Sequence, residues 1–303
     1  MGAYQIGLVI QISISIMTVI AIFAMTGLAG MFSLGQAAYM AIGAYVTFVL
    51  SRFLNIPFYI TGIIAMLLSI FLSWLIAIPT LKLRGDYFAL ITVGFSQMIN
   101  ALILLFEKYT RGSIGFSKIP RVNGLLWITL GALILLVFWM RNLKYSRFGR
   151  MCIALKNDEI AARSFGIDVY HLKIQIYVLA SAIATFAGIL MAIRNRVITP
   201  DSFGWAQSAE MQIFLFFGGT NSLTGAILST TVLNLIPEFV RNITLFGTSL
   251  QQYRTIIYAI LIIIVINFRP QGILGEKEIS FQWLAKLFKK SEKSNGKNDS
   301  SYA

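Results

Sequence analysis

Long apolar runs separated by short polar breaks recur along almost the whole chain. Runs of about 18 to 25 residues are long enough for an α-helix to cross a hydrocarbon core that is about 30 Å thick. Strand-type alternation is absent, so the runs are predicted to be helices whose backbone groups pair internally. The pattern predicts an all-α, polytopic transmembrane helical bundle of about nine spans, several of them short or broken. The predicted spans are residues 5–26, 31–51, 58–80, 86–106, 123–140, 172–193, 206–219, 223–240 and 252–268.

Glycine-rich breaks interrupt two pairs of these runs. The stretch Gly30-Met-Phe-Ser33-Leu34-Gly35 is similar to Gly219-Thr-Asn-Ser222-Leu223-Thr-Gly225, which indicates either an internal duplication or chance similarity. Backbone N–H groups at the start of a half-helix can bind a carboxylate, whereas small residues also serve close helix packing. Both roles, carboxylate binding and helix packing, stay open for the residues at these breaks. The candidate residues of a substrate path are Ser33, Gly35, Gln36, Gly218, Gly219 and Ser222.

The composition indicates an integral membrane protein. Hydrophobic residues make up 57% of the chain and charged residues only 12%, which is far more apolar than a soluble domain. The first run lacks a basic segment before it, so it is predicted to stay in the membrane rather than to be cleaved as a signal peptide. Residues 1–275 are predicted to form one transmembrane domain in the cell membrane, and residues 276–303 a basic, partly disordered cytoplasmic tail.

The net charge of +13 comes from basic residues whose positions indicate membrane topology rather than nucleic-acid binding. Lysine and arginine lie between the apolar runs and in the tail, with a basic island at 141–173. If the island is cytoplasmic, 16 basic residues lie inside and nine outside, which places the N-terminus outside and the C-terminus in the cytoplasm. The external loop 108–121 then carries four basic residues, either for an acidic partner or as a solvated loop.

The sequence offers no catalytic or metal constellation. Cys152 is the only cysteine and His171 the only histidine, so a disulfide, a Cys/His metal cluster and a Cys/His catalytic pair are excluded. Asp158 and Glu159 are neighbours and point in different directions on a helix, so they cannot act as an acid/base pair. We predict no catalytic residue, no metal and no cofactor, and we predict that Cys152 is an inert thiol.

Five separated stretches resemble the permeases of branched-chain amino acid ABC transporters, in the same order along the chain. The region 83–92 with 110–115 resembles the LivM-type subunit more than its LivH-type sister. The resemblance covers residues 5–275. The matching stretches are Thr26-Gly-Leu-Ala-Gly-Met-Phe-Ser-Leu-Gly-Gln36 and onward to Tyr45, residues 83–92 with 110–115, 146–166, Phe217-Gly-Gly-Thr-Asn-Ser-Leu-Thr-Gly-Ala226, and Phe268-Arg-Pro-Gln-Gly-Ile-Leu-Gly275.

The resemblance implies a division of labour among several proteins. A second, LivH-like permease would complete the path, two cytoplasmic ATPase subunits would hydrolyse ATP, and an extracytoplasmic binding protein would deliver the substrate. The chain itself would be a transport subunit and no enzyme, moving leucine, isoleucine or valine by alternating access. The alternatives are an ABC permease for urea or short amides and an ion-coupled secondary transporter, which would need buried acids that are scarce here.

The basic island contains the segment that such a permease would present to its ATPase. Glu159-Ile-Ala-Ala-Arg-Ser-Phe-Gly166 resembles the Glu-Ala-Ala-x-x-x-Gly pattern of ABC importers, with Ile160 as a departure. We predict that small residues form the contact surface and that charged residues orient it, although an ordinary charged loop is the alternative. The predicted small residues are Ala154, Ala161, Ala162 and Gly166, and the charged ones are Asp158, Glu159 and Arg163.

Overall fold

The structure is a computed structural model in which the described residues are helical almost throughout. It describes residues 2–81, 85–117, 119, 122, 124–240, 244–245, 248–249, 272 and 275. The α-helices are α1 Ala3–Ile22, α2 Gln36–Leu54, α3 Phe58–Thr80, α4 Asp86–Leu105, α5 Glu107–Thr110, α6 Leu125–Tyr145, α7 Arg147–Asn157, α8 Glu159–Ser164, α9 Val169–Asn195, α10 Trp205–Gly218 and α11 Leu223–Val240.

Short elements of other kinds join these helices. A π-helical segment, Phe23–Leu28, continues α1, and two 3-10 turns cover Gly112–Ile114 and Pro200–Phe203. Two antiparallel pairs of two-residue strands are also present among the described residues. The strands are β1 Phe116–Ser117 with β2 Val197–Ile198, and β3 Thr244–Leu245 with β4 Thr248–Ser249.

The predicted all-α polytopic bundle is confirmed. Among the described residues, six helices are long and apolar enough to cross a membrane, and they match the first six predicted spans. The seventh and eighth predicted spans form instead a bent pair, in which Pro200–Gly218 and Leu223–Ile236 meet at 118°. The predicted span 252–268 and the tail 276–303 lie outside the described residues, so the count of nine is not confirmed.

Helix α9 lies at the centre of the bundle and packs against α1, α2 and α3. Its contact with α2, which we call the α2–α9 seam, depends on Gly43 and Gly188. A Cβ at Gly43 would overlap the Thr185 carbonyl oxygen, and one at Gly188 would overlap that of Met40. The large exposed apolar side chains lie mainly on α3, α4 and α6, where an apolar surface suits contact with lipid.

The loops sort to two ends of the bundle. At one end, β1 from the predicted external loop pairs with β2 after α9, and the Tyr45 hydroxyl donates to the Ile198 carbonyl at 3.2 Å. At the other end, α7 and α8 from the basic island lie beside the turn after α1 and the turn after α10. The island and both glycine-rich breaks are therefore close together in space.

Candidate functional site

The first break follows the π-helical end of α1. All six residues of the π-helix are buried, and just beyond it the Met31 N–H donates to the Met25 carbonyl at 3.1 Å. Gly30 then takes a φ of 70°, a left-handed conformation that glycine adopts at little cost. The chain runs without helix to Gly35, and α2 begins at Gln36.

The second break joins α10 to α11. Gly219 has a φ of 108°, and a Cβ at Gly218 would overlap the backbone of Gly225, so the turn needs glycine at these positions. The Ser222 hydroxyl accepts from the Gly225 N–H at 3.0 Å, which caps the start of α11. A Cβ on Gly272 would lie 2.5 Å from Gly219 Cα, so Gly272 itself touches this turn.

The two breaks meet in space, and we call them together, residues 29–35 and 219–222, the break junction. A Cβ on Gly27 would lie 2.7 Å from the Thr220 carbonyl oxygen. The Gln212 Nε2 of α10 donates to Thr26 Oγ1 at 3.0 Å and to the Ser33 carbonyl at 2.9 Å. The interrupted ends of α1 and α10 are thus held against one another.

The predicted path residues lie in this junction or, for Gln36 and Gly218, directly beside it. Ser33, Gln36 and Ser222 are buried to 1% exposure or less, and Gly35 packs against Thr92 of α4. Gly218 and Gly219 form the second turn itself. The structure therefore brings both halves of the prediction into one place, while the role in substrate passage stays a prediction.

Two buried amide oxygens at the junction have no hydrogen-bond partner among the described residues. They are the Oε1 atoms of Gln36 and Gln212, whose side chains are 1% and 3% exposed. Their amide nitrogens are engaged, that of Gln36 with the Met25 sulfur at 2.6 Å. An unpaired buried acceptor costs about 1–3 kcal/mol, so the closed junction carries a local energetic penalty.

Two cavities lie at different levels along α1 and its π-helix. The first, about 360 Å³, is lined by α1, α9, α10 and α11 and carries charged side chains including Arg194, Asp201 and Glu210. The second, about 610 Å³, lies between residues 29–32 and the basic island. Along α1 and its π-helix, the buried residues 19–28 lie between the lining of the first cavity and residues 29–32, which line the second. The α1 residues of the first lining are Leu8, Gln11, Ile14, Ser15 and Thr18.

Helix α7 of the island packs firmly onto the bundle. The Ser146 hydroxyl caps its start by accepting from the Gly149 N–H at 3.2 Å, and Gly149, Cys152 and Leu155 form the buried face. Burial raises the pKa of the Cys152 thiol to about 12, so the thiol stays protonated at neutral pH. Within the described ranges, no group of three or more His, Cys, Asp or Glu side chains is arranged to hold a metal ion.

Helix α8 is short and is capped at both ends. The Asp158 carboxylate accepts from the N–H groups of Ile160 at 2.8 Å and Ala161 at 3.0 Å. Gly166, with a φ of 80°, ends the helix in the left-handed conformation that favours glycine. These two predicted site residues thus have local structural reasons for their identity.

Glu159 ties α8 to α9. Its carboxylate contacts Arg163 at 2.6 Å and Lys173 at 2.7 Å. Burial alone would raise the pKa of Glu159, but the hydrogen bond and charge of Lys173, together with Arg163, outweigh it and hold the pKa below its ordinary value. The carboxylate is therefore ionised at neutral pH, as its predicted orienting role requires.

The exposed surface of this segment differs in composition from the predicted one. Ala162 is buried at 2% exposure, and Ala154 and Ala161 are half-buried. The side chains that project are Ile160 and Phe165, which are 78% and 86% exposed. These two side chains were not predicted as contacts from the sequence. The signal that could have found them is the presence of two large apolar residues within a polar segment, a pattern that indicates contact with another molecule.

Two lysines fasten the island to the break junction. Lys156 Nζ donates to the Gly27 carbonyl at 2.9 Å and to Asn221 Oδ1 at 2.5 Å. Lys144 Nζ, from the end of α6, donates to the Asn221 carbonyl at 2.5 Å. From the sequence, both lysines counted only as topology signals, and no local pattern indicated their partners.

Comparison with known proteins gives a consistent result. The family model described as "Branched-chain amino acid transport system / permease component" matches residues 4–266. The permease protein LivM of Salmonella typhimurium, described as part of a high-affinity branched-chain amino acid transport system, is 30% identical over 82% of this chain and 64% of its own length. This chain thus spans less than two thirds of that relative.

More distant relatives extend the comparison. A probable branched-chain amino acid transport permease LivM of Methanocaldococcus jannaschii is 23% identical over 72% of this chain and 68% of its own length. The permease protein LivH of Escherichia coli K12, also of a high-affinity branched-chain amino acid transport system, is 29% identical over 54% of this chain and 50% of its own length. The chain therefore matches LivM relatives over more of its length than this LivH relative.

Proposed function

This chain belongs to the family of permease components of branched-chain amino acid transport systems, and we propose that it is the permease subunit of an ATP-driven importer of leucine, isoleucine or valine. The proposed importer works in the cytoplasmic membrane by alternating access. The chain would be no ATPase, because two cytoplasmic partner subunits would hydrolyse ATP. A LivH-like permease would complete the path, and an extracytoplasmic binding protein would deliver the amino acid.

The observation that carries this proposal is the closed junction between two cavities. Alternating access requires a path that is open to one side while a barrier closes it from the other. Here the buried segment 19–28 and the two breaks separate a charged cavity at one end from a cavity beside the basic island at the other. Opening the junction would connect the two cavities.

The junction also has chemistry that suits an amino acid. The unpaired Oε1 atoms of Gln36 and Gln212 are acceptors, and a substrate ammonium group supplies three donors. Satisfying these oxygens during passage would offset the penalty of the closed state. We therefore propose that Gln212 joins the predicted path residues, which are Ser33, Gly35, Gln36, Gly218, Gly219 and Ser222.

The exposed part of the basic island suits the contact with an ATPase. Ile160 and Phe165 project from a segment whose charged residues, Asp158, Glu159 and Arg163, are fixed by capping and ion pairing. Exposed apolar side chains on an ordered support are typical anchors of protein interfaces. We propose that they fill a pocket on the ATPase, with the N-terminus of the chain outside and the tail in the cytoplasm.

Reconstitution of the complete complex in proteoliposomes tests the proposed function. With the binding protein outside and ATP inside, we expect uptake of labelled leucine, isoleucine and valine that requires ATP. Uptake of urea or acetamide in place of these amino acids would support the alternative permease class. Uptake by the chain alone, driven by an ion gradient without ATP, would contradict the ABC assignment.

A surface variant tests the proposed ATPase contact. Replacing both Ile160 and Phe165 with serine is expected to weaken ATPase binding by at least about tenfold, since exposed anchors of this kind contribute 1–2 kcal/mol or more each. Stability should not change, because both side chains are exposed. Ile114→Ser is the matched control, since Ile114 is 80% exposed but lies beside β1 at the opposite end. Unchanged ATPase binding in the double variant would remove the contact from the proposal.

A further inference from the structure

Lys156 lies where the basic island touches both breaks. It is the second-last residue of α7, and its ammonium group donates to the Gly27 carbonyl of the π-helix and to the Asn221 side chain of the second turn. Gly27 lies in the π-helix after α1 and Asn221 in the turn after α10, two segments that the Gln212 side chain of α10 also joins. One side chain from the island therefore contacts the ends of both interrupted helices.

The contact is electrostatically favourable at both ends. The Gly27 carbonyl lies near the C-terminal end of the α1 π-helix, where unsatisfied carbonyl groups make the helix end negative. Asn221 follows the C-terminal end of α10 and also accepts from Lys144 through its carbonyl. A cation is stabilised at such a place, and here one cation serves two helix ends.

The surrounding backbone leaves room for this side chain. A Cβ on Gly30 would lie 3.0 Å from Lys156 Cγ, so a larger residue at the break would crowd the lysine stem. On its other side, Lys156 precedes Asn157 and the Asp158 cap of α8, and the exposed Ile160 is four residues away. Because α7 is packed as a unit by Cys152 and Leu155, a displacement of the island must move Lys156 too.

We propose that Lys156 is a positioning residue that transmits movement of the α7–α8 segment to the break junction. This inference rests on the proposed function, since the movement would come from the ATPase contact. When the segment shifts, Lys156 either carries Gly27 and Asn221 with it or releases them, and in both cases the junction changes state. The two breaks respond together because they share one donor.

Lys144 provides a matched control within the same site. It also donates to Asn221, at the same 2.5 Å, and its ammonium lies 5.7 Å from the centre of the Phe23 ring. It comes from α6, however, which lies outside the α7–α8 segment. Removing Lys144 should weaken the junction without cutting its link to the segment that bears Ile160.

The experiment measures transport and ATP hydrolysis in the reconstituted complex. We expect Lys156→Met to lower the number of amino acids moved per ATP by at least about fivefold, within the usual range of coupling between sites, while ATP hydrolysis continues. Lys144→Met should keep this ratio within about twofold of the wild type, and Lys156→Arg, which retains the charge, should recover part of it. An equal fall in both methionine variants, or an unchanged ratio in Lys156→Met, would overturn the proposal.

Hydrogen exchange on the full complex provides a readout that does not depend on transport. Lys156→Met is expected to accelerate amide exchange at both 27–35 and 219–222. Lys144→Met should accelerate it mainly at 219–222, where its hydrogen bond lies, and less at 27–35, because its contact with the π-helix is to the Phe23 ring. If Lys156→Met fails to fold, Asn221→Ala removes the side-chain acceptor and leaves the bond to Gly27, so the fall in ratio should be smaller but present. If amide exchange at both breaks in Lys156→Met is the same as in the wild type, Lys156 does not join the two breaks.

The same two measurements separate this inference from the proposed function. A wild-type complex that does not move amino acids with ATP would contradict the proposed function, while the exchange pattern would still decide whether Lys156 joins the breaks. A wild-type complex that transports normally, with no change of ratio in Lys156→Met, would contradict only the role of Lys156.

Discussion

Glycine brings helices into close contact at the α2–α9 seam and at the break junction, but the surroundings of the two contacts differ. At the seam, Gly43 and Gly188 lie inside uninterrupted helices and face backbone carbonyls of the partner helix. The Tyr39 hydroxyl reinforces the seam by donating to Tyr177 at 2.8 Å, and beside it Thr185 of α9 is bonded to Ser69 of the neighbouring α3. Every polar group in these pairs has a partner.

At the junction, glycine instead interrupts the helices. Gly30 and Gly219 take positive φ values, and helices stop on both sides of them. Two buried amide oxygens lack partners there, and lysine side chains rather than backbone ladders join the pieces. Segments with few regular hydrogen bonds open at lower free energy than packed helices do.

The difference indicates that one bundle contains a fixed part and a changeable part. The seam has a single close-packed arrangement, since any shift would bring backbone atoms into overlap or open a void. The junction has groups that a different arrangement could satisfy better, which is what a two-state element needs. We therefore expect substitutions at the seam to affect folding and substitutions at the junction to affect transport.

The largest effect is expected from Gly188→Ala at the seam. The added Cβ would meet the Met40 backbone, which cannot move aside as a side chain could. We expect a loss of stability of about 3 kcal/mol, at the upper end of the range for overpacking, and a correspondingly lower thermal unfolding midpoint in detergent.

Gly131→Ala in α6 is the control for this substitution, because a Cβ there meets nothing within 4 Å. It should leave stability unchanged or raise it by up to about 1 kcal/mol, from helix propensity alone. A Gly188→Ala protein as stable as the control would show that the seam can adjust, and the distinction between the two regions would fail.

A smaller effect of opposite sign is expected from Gln36→Met at the junction. The substitution removes a buried amide with an unpaired oxygen at nearly constant volume, so stability should rise by about 1 kcal/mol. Transport should fall, because the acceptor proposed to meet the substrate is lost. The two measurements are the unfolding midpoint and the rate of leucine uptake.

Thr47→Val tests whether the fall in transport belongs to the junction. The Thr47 hydroxyl is also buried and unpaired among the described residues, but it lies within the continuous helix α2, beyond Gly43. Stability should rise by a similar amount, while transport stays at the wild-type rate. Equal loss of transport in both variants would mean that the unpaired groups have no special connection with the path.

The first six spans could be predicted because apolar run length alone decides whether a helix can cross a membrane. The glycine breaks were also correctly located, because several glycines lie close together there between two apolar runs, whereas the isolated Gly43 and Gly188 lie inside continuous helices. The sequence predicts two spans where the structure has one bent pair, because an apolar run carries no information about the direction in which its helix runs, and α10 has only 14 residues.

The contacts within the site could not be predicted from local pattern. Lys156 and Asn221 are 65 residues apart, and nothing near either residue indicates the other. In α8, a helix of six residues, too few positions exist for a hydrophobic period to show that Ala162 faces inward and Ile160 outward. Tertiary packing decided both features.

The smallest expected effect concerns Cys152, whose fully buried thiol packs α7 onto the bundle beside the junction. With a pKa of about 12, roughly one thiol in ten thousand is ionised at pH 8. Maleimides react with the thiolate, so the folded chain should label at least about a thousandfold more slowly than a Cys152→Ser chain that carries Ser164→Cys at the exposed end of α8. Rapid labelling of folded wild type would contradict the tight packing of α7.

Labelling during ATP turnover then compares the two regions directly. If the junction moves with α7, ATP turnover should accelerate the labelling of Cys152 by about a few-fold, because the thiol is accessible while α7 is displaced from the bundle. In a Cys152→Ser background, Ser181→Cys places a buried thiol of similar size in α9, and its labelling should stay at the resting rate because α9 belongs to the fixed part. Equal acceleration at both positions would mean that α9 opens with the junction, since a thiol in a close-packed helix becomes accessible only when that helix separates from its neighbours.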